Sequence, residues 1–227
     1  MLTIGFKKAY FGLIDDDTDM LTGTQPSDPA AIPGAKNGIY EMNAGSVLGV
    51  LSAAITGLAP TTNKIYGSDV QVDISGQGTG NVSVTFAAND IPMDVEGIIT
   101  GYKKNEMGGW YLDDTSRSPF GALDLVSTNR QGQPIHIAFL KGRFAPAEKT
   151  LTSNNDSPQW ATDSLTFSAI SRNNTDLRAV TRYIEDGTTI KLDDILKDVF
   201  MGYTPTTGST TGSATGSTTG STTPTSH

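Results

Sequence analysis

The chain has 227 residues, of which 36% are hydrophobic and 18% charged; its formal net charge is −8 and it contains no cysteine. The acidic balance disfavours tight nucleic-acid binding, which needs clustered Lys and Arg to displace counterions. The missing cysteines exclude disulfides, thiolate metal centres and cysteine nucleophiles.

Two kinds of polymer are joined in it. Residues 204–227 contain only Thr, Gly, Ser, Pro, Ala and one His, with the tetrads GSTT, GSAT, GSTT and GSTT running from Gly208 to Thr223. Such a segment has no apolar surface to offset its ordering entropy, so a flexible tail or linker is expected there. Residues 1–203 are the expected folded domain, long enough for a real core. The N-terminal MLTIGFKKAYF lacks the apolar stretch of a secretory signal, so a complete chain is expected to start in the cytoplasm.

In chain order, residues 4–14 read as a strand, with Tyr10 and Phe11 favouring a sheet. Asp15, Asp17 and Asp19 match the first alternate ligands of a calcium loop. Met20 then stands where that loop needs Gly, and Pro26 where it needs a bidentate Glu, so the run reads as a solvated acidic turn. Residues 22–37 read as a loop. The uncharged stretch 44–59 is too short and too diluted by Gly, Ser and Thr to span a membrane, and is expected as a buried strand or strand pair.

Residues 70–74 and 82–86 both alternate apolar and polar side chains, with GQGTG between them. The pattern predicts a β-hairpin with a Gly-rich loop. Gly76, Gly78 and Gly80 lack the spacing of a phosphate cradle. Next, Ile91, Val95, Ile98 and Ile99 fall on one face of a helix, with Asn89 or Asp90 as its expected cap, Pro92 in its first turn and Gly101 as its stop.

The following stretch, 103–121, reads as a long excursion. Trp110 and Tyr111 either anchor it on the domain or serve as an interface hot spot. Asp113 and Asp114 have no identifiable acid–base partner. Residues 122–126 and 135–144 predict a second strand pair carrying His136, the sole histidine before the tail, with no nucleophile elbow beside it. Two more strands are expected over 164–170 and 177–184. A last helix carries Leu192, Ile195, Leu196, Val199 and Phe200 on one face and ends at Gly202. The residues alone thus describe a mainly β domain with two short helices. They offer no catalytic residue, no cofactor site and no metal cluster, which favours a structural or binding protein over an enzyme.

The segments GFKKAYFGLIDD, GIYEMNAGS, ITGLAPTTNKIYGSDVQVDIS, VTFAANDIPMDVEGIITGYKKNEMGGWYLDDTSRSPFGALDLVS and HIAFLKGRFAPAEKT resemble, in order, the major tail proteins of long-tailed, non-contractile bacteriophages. The resemblance spans most of residues 4–172. It implies a β-sandwich or β-barrel-like tail tube fold with a flanking helix. It also implies hexameric rings stacked around a tape-measure protein, completed by tail terminator and distal tail proteins. Double-stranded DNA later passes through the tube without specific binding, and no membrane is involved. The expected location is the virion tail, with assembly in the host cytoplasm. On this reading the outward residues of the predicted hairpin, Gln71, Asp73, Ser83 and Thr85, are candidates to face the lumen, and the acidic net charge suits a conduit that repels phosphates. Trp110, Tyr111, Asp113 and Asp114 are candidates for a subunit or ring interface. The tail resembles a linker to a C-terminal Ig-like decoration. The competing class is a carbohydrate-binding β-sandwich on a Ser/Thr-rich stalk at the cell surface.

Overall fold

The computed structural model describes residues 3–205 apart from 26, 29, 61, 77, 147–152, 154–160 and 173–175. From residue 206 on, the expected flexible tail lies outside the described residues. In chain order the elements are β1 (Thr3–Leu13), β2 (Ile39–Met42), β3 (Val50–Thr56), β4 (Asn63–Gly67), β5 (Val70–Ser75), β6 (Ser83–Ala88), α1 (Met93–Thr100), β7 (Lys103–Lys104), β8 (Trp110–Tyr111), β9 (Gly121–Asn129), β10 (Pro134–Pro146), β11 (Asp163–Ile170), β12 (Val180–Ile184) and α2 (Leu192–Val199). The fold is mainly β with a flanking helix and a short C-terminal helix, as expected.

Eight strands form one antiparallel sheet in the order β2-β1-β9-β10-β11-β6-β3, with β12 added beside β10. The long strand β10 organises it. Its first half pairs with β9 on one side and β12 on the other, as in Ile137↔Leu125 and Ile137↔Arg182. Its second half pairs with β11, as in Phe144↔Phe167. The larger core lies against one face and collects Phe11, Val84, Phe86, Leu123, Phe139, Phe144, Leu165 and Phe167, with Val95 and Ile99 of α1. Edge-to-face aromatic contacts run through it: Phe11–Phe144 at 4.9 Å and Phe144–Phe167 at 5.0 Å between ring centroids. Phe6 of β1 also meets Phe86 of β6 at 5.9 Å, although those strands lie far apart in the sheet order. The sheet therefore curls back over its own core, as in a sandwich or barrel. On the opposite face of β1, β9 and β10, a second core forms where Tyr10, Ala122, Val126, Ala138 and Leu140 are covered by Ile195, Leu196, Val199 and Phe200 of the α2 region.

Three local expectations need correction. The strand β5 does not pair with β6. It pairs with β4, as in Val70↔Gly67, closed by Ser68 and Asp69 at φ 53° and 64°. Two consecutive left-handed residues make the tight turn whose twist suits a two-residue hairpin, so the nearer strand wins. Meanwhile β6 is drawn into the main sheet by Val84 and Phe86, both 0% exposed. Second, stretch 44–59 yields one strand, β3, and it is half-exposed rather than buried, because it forms an edge of the sheet. Third, neither Asn89 nor Asp90 caps α1. Pro92 occupies the N-cap, Asn89 donates its side-chain amide to the Leu48 carbonyl at 2.8 Å, and the Ile91 amide donates to Asp163 at 2.9 Å. The expected stop holds: Gly101 turns left-handed at φ 81°, and the Tyr102 amide closes on the Gly97 carbonyl.

Candidate functional site

The strands β3, β6, β11 and the second half of β10 bury one face and leave the other bare. Period-two alternation puts Ile55, Val84, Phe167 and Phe144 in one row on the core side. The neighbouring outward rows are Thr56–Ser83–Ser168–Arg143 and Ala54–Thr85–Thr166–Ala145, followed by Ser52–Ala87–Ser164. In these rows Arg143 is the single side chain larger than threonine. The patch is flat, hydroxyl-rich and free of carboxylates. It lies on the side of the sheet that α2 covers further along.

Two strand edges bound the patch. The strand β3 ends the sheet, and its sequence VLSAAIT has none of the Lys, Glu or Pro that commonly blunt an exposed edge. At the other side, β9 accompanies β10 only as far as the pair Gly121↔Gly142. Beyond it, among the described residues, no strand pairs the second edge of residues 143–146. The direction of the four strands alternates, so a β3 edge laid against the β10 edge of a second copy is again antiparallel.

The sequence candidates divide between this patch and other places. Ser83 and Thr85 are on it, half-buried and exposed respectively. Gln71 and Asp73 are not: they belong to the β4–β5 arm, which is exposed along its length and carries Ile65, Tyr66, Val70, Val72 and Ile74 at 46–64% exposure. Trp110 is an intramolecular anchor. Its ring lies flat on α1 at Gly97, where a Cβ would come within 2.6 Å of it. Its indole N–H donates to Asp94 at 3.1 Å, and the Lys104 ammonium stands 5.2 Å above its ring. Tyr111 beside it is 44% exposed. Asp113 stiffens the loop, accepting from Lys103 at 2.8 Å and from the Thr115 and Ser116 hydroxyls. The Lys103 and Thr115 hydrogen bonds hold its carboxyl well below the usual carboxylate range. Asp114 is simply exposed.

The remaining polar groups serve the fold. Lys141, with no exposed surface, places its ammonium 2.7 Å from the Asp16 carbonyl and 2.8 Å from the equally buried Asp19 carboxylate. An ammonium thus stands inside the loop whose spacing suggested calcium, and among the described residues no group of His, Asp and Glu could hold a metal. His136 Nδ1 lies 2.6 Å from Asp124, both buried, and Nε2 lies 3.5 Å from Glu185. Burial pulls the imidazole pKa down, but Asp124 and Glu185 outweigh it and raise the value. Arg172 is buried and donates to the last carbonyls of α2, those of Asp198 and Val199. Arg178 and Tyr183 hold the Asp198 carboxylate, at 2.9 and 2.5 Å. These contacts fasten α2 to the sheet through Coulomb attraction at its negative end. A hollow of about 530 Å³ beside α2 is lined by Tyr10, Tyr40, Leu192, Leu196 and Tyr203 among others.

No helix of the described residues is long and apolar enough to cross a membrane. Comparison with curated proteins gives no match. A family model described as phage tail tube protein matches residues 1–208, the folded domain and the first residues of the tail. That family is a structural one rather than an enzyme family, and its subunits form the tube of a bacteriophage tail. With the match running over the whole β domain, the chain belongs to the phage tail tube protein family.

Proposed function

We propose that this major tail protein polymerises into stacked hexameric rings that form the tail tube, and that double-stranded DNA reaches the host through its bore. The observation that carries the reading is the bare, hydroxyl-lined patch between two strand edges that, among the described residues, no strand of the same chain pairs. A head-to-tail contact of β3 on the free edge of β10 is heterologous, and such contacts close into rings when the rotation fits. Closure satisfies both edges and leaves no template for aggregation. Four strands from each of six copies, spaced ~4.8 Å apart and tilted as barrel strands are, enclose a bore of roughly 40 Å. In this arrangement Ser83 and Thr85 line the bore, while Gln71 and Asp73 leave it with the arm.

The arm itself suits contact with a second copy. A lone two-stranded ribbon has marginal stability in water, and five exposed apolar side chains on it favour burial. We assign it to the contact between successive rings, with Tyr111 and the loop around Asp113 and Asp114 as a further contact. A tape-measure protein fills the growing tube, terminator and distal tail proteins finish it, and assembly takes place in the host cytoplasm before the tail joins the virion.

The test is electron microscopy of the purified full chain, with light scattering for mass, in the presence and absence of tail-tip and tape-measure proteins. Rings or hollow tubes support the reading. A protein that stays monomeric with those partners present counts against it.

A further inference from the structure

Arg143 is the one charged side chain in the outward rows of the bare patch. It shares its row with Thr56, Ser83 and Ser168. Lys141, two residues earlier on β10, reaches the Phe120 ring at 4.6 Å but is buried in its pair with Asp19. The guanidinium of Arg143 lies 3.7 Å from the centroid of the same ring. A guanidinium held on a ring is a planar fork of donors that suits a phosphate. The Arg117 cation is close enough to be felt, and Asp16 offsets it in part. The residue also sits on the open edge of β10, and β3, the strand proposed to dock there, has no acidic side chain to neutralise it.

From this placement we propose that Arg143 is the phosphate-contacting residue of the conduit, presenting one guanidinium per subunit to the backbone of the passing DNA. The inference rests on the bore assignment made above. A ring of cations repeated at every level of the tube suits a polyanion of uniform charge better than a peptide with scattered acids. The contact is sequence-independent and weakens with salt, as phosphate contacts do. It would damp the sliding of DNA along walls that otherwise offer only hydroxyls and methyls.

The experiment uses phage carrying Arg143→Gln or Arg143→Lys in the full chain, with tubes first imaged at side-chain resolution. DNA ejection is then triggered in vitro across a series of salt concentrations. The expected result is several-fold faster ejection for Arg143→Gln at low salt, a smaller dependence on salt than the parent, and parent-like behaviour for Arg143→Lys. Intact Arg143→Gln tubes with the parent's rate and salt dependence overturn the contact while leaving the bore assignment standing. Altered tail length with unchanged ejection also overturns it and points to the tape-measure protein instead. A map with Arg143 outside the bore overturns the underlying assignment itself.

Discussion

At the scale of single residues, the folded domain depends on charges buried in pairs. Lys141 and Asp19 are each 0% exposed, and without Asp19 the buried ammonium keeps the Asp16 carbonyl at 2.7 Å and the more exposed Asp16 carboxylate at 3.3 Å. We expect Asp19→Ala to cost about 1–3 kcal/mol, read by chemical denaturation of the purified subunit; a cost near zero would mean that Asp16 or water satisfies the ammonium in full. The Asp15–Asp19 turn was legible in the sequence, but its cation was not, because Lys141 lies 122 residues further along. The same holds for His136, which reads as an ordinary strand histidine until β9 places Asp124 against it. Its folded pKa is raised above the ordinary 6.5. The protonated ring therefore stabilises the fold fully below the unfolded value, and that contribution is lost as pH rises through the raised folded value. Thermal melts of the parent should decline across that window, while His136→Gln should be less stable at low pH and flatter across it. Parallel pH profiles for the two proteins would contradict this account.

At the scale of elements, the amphipathic repeats of α1 and α2 and the alternation of β6 were readable, because each buries one face and the period survives in the sequence; β1, β9 and β10 are covered on both faces and were read as strands without that period. Partner choice was not. Residues 70–75 could pair forward or backward, and the left-handed pair Ser68-Asp69 decided for β4. The Trp110 anchor was one of two readings the sequence offered, but its seat was not legible, since it depends on Gly97 in the middle of a helix, where glycine normally costs about 1 kcal/mol and is kept here for the close approach of a ring. The arm made by β4 and β5 gives a sharp prediction. Val70→Lys with Val72→Lys touches no core residue, so the subunit should melt within ~0.5 kcal/mol of the parent yet fail to build tubes. Normal tubes from the double variant, seen by electron microscopy, would remove the arm from the contacts between rings.

At the scale of the whole molecule, a net charge of −8 coexists with a patch that carries no carboxylate in its three outward rows. The acids are spent on the fold and on other surfaces: Asp19 on Lys141, Asp124 on His136, Asp113 on Lys103, Asp198 on Arg178. If this patch lines the bore, as proposed, the wall that DNA meets is hydroxylated and carries Arg143 in place of acids. The family was legible from the ordered segments of residues 4–172, whereas the patch needed the register of four strands drawn from three distant parts of the chain. A cryo-electron microscopy map of the assembled tube tests the bore assignment most directly. In that map Ser83, Thr85 and Thr166 should face the bore, and β3 should hydrogen-bond antiparallel to residues 143–146 of the neighbouring subunit. A map with these rows on the outer wall, or with β3 unpaired, would contradict it.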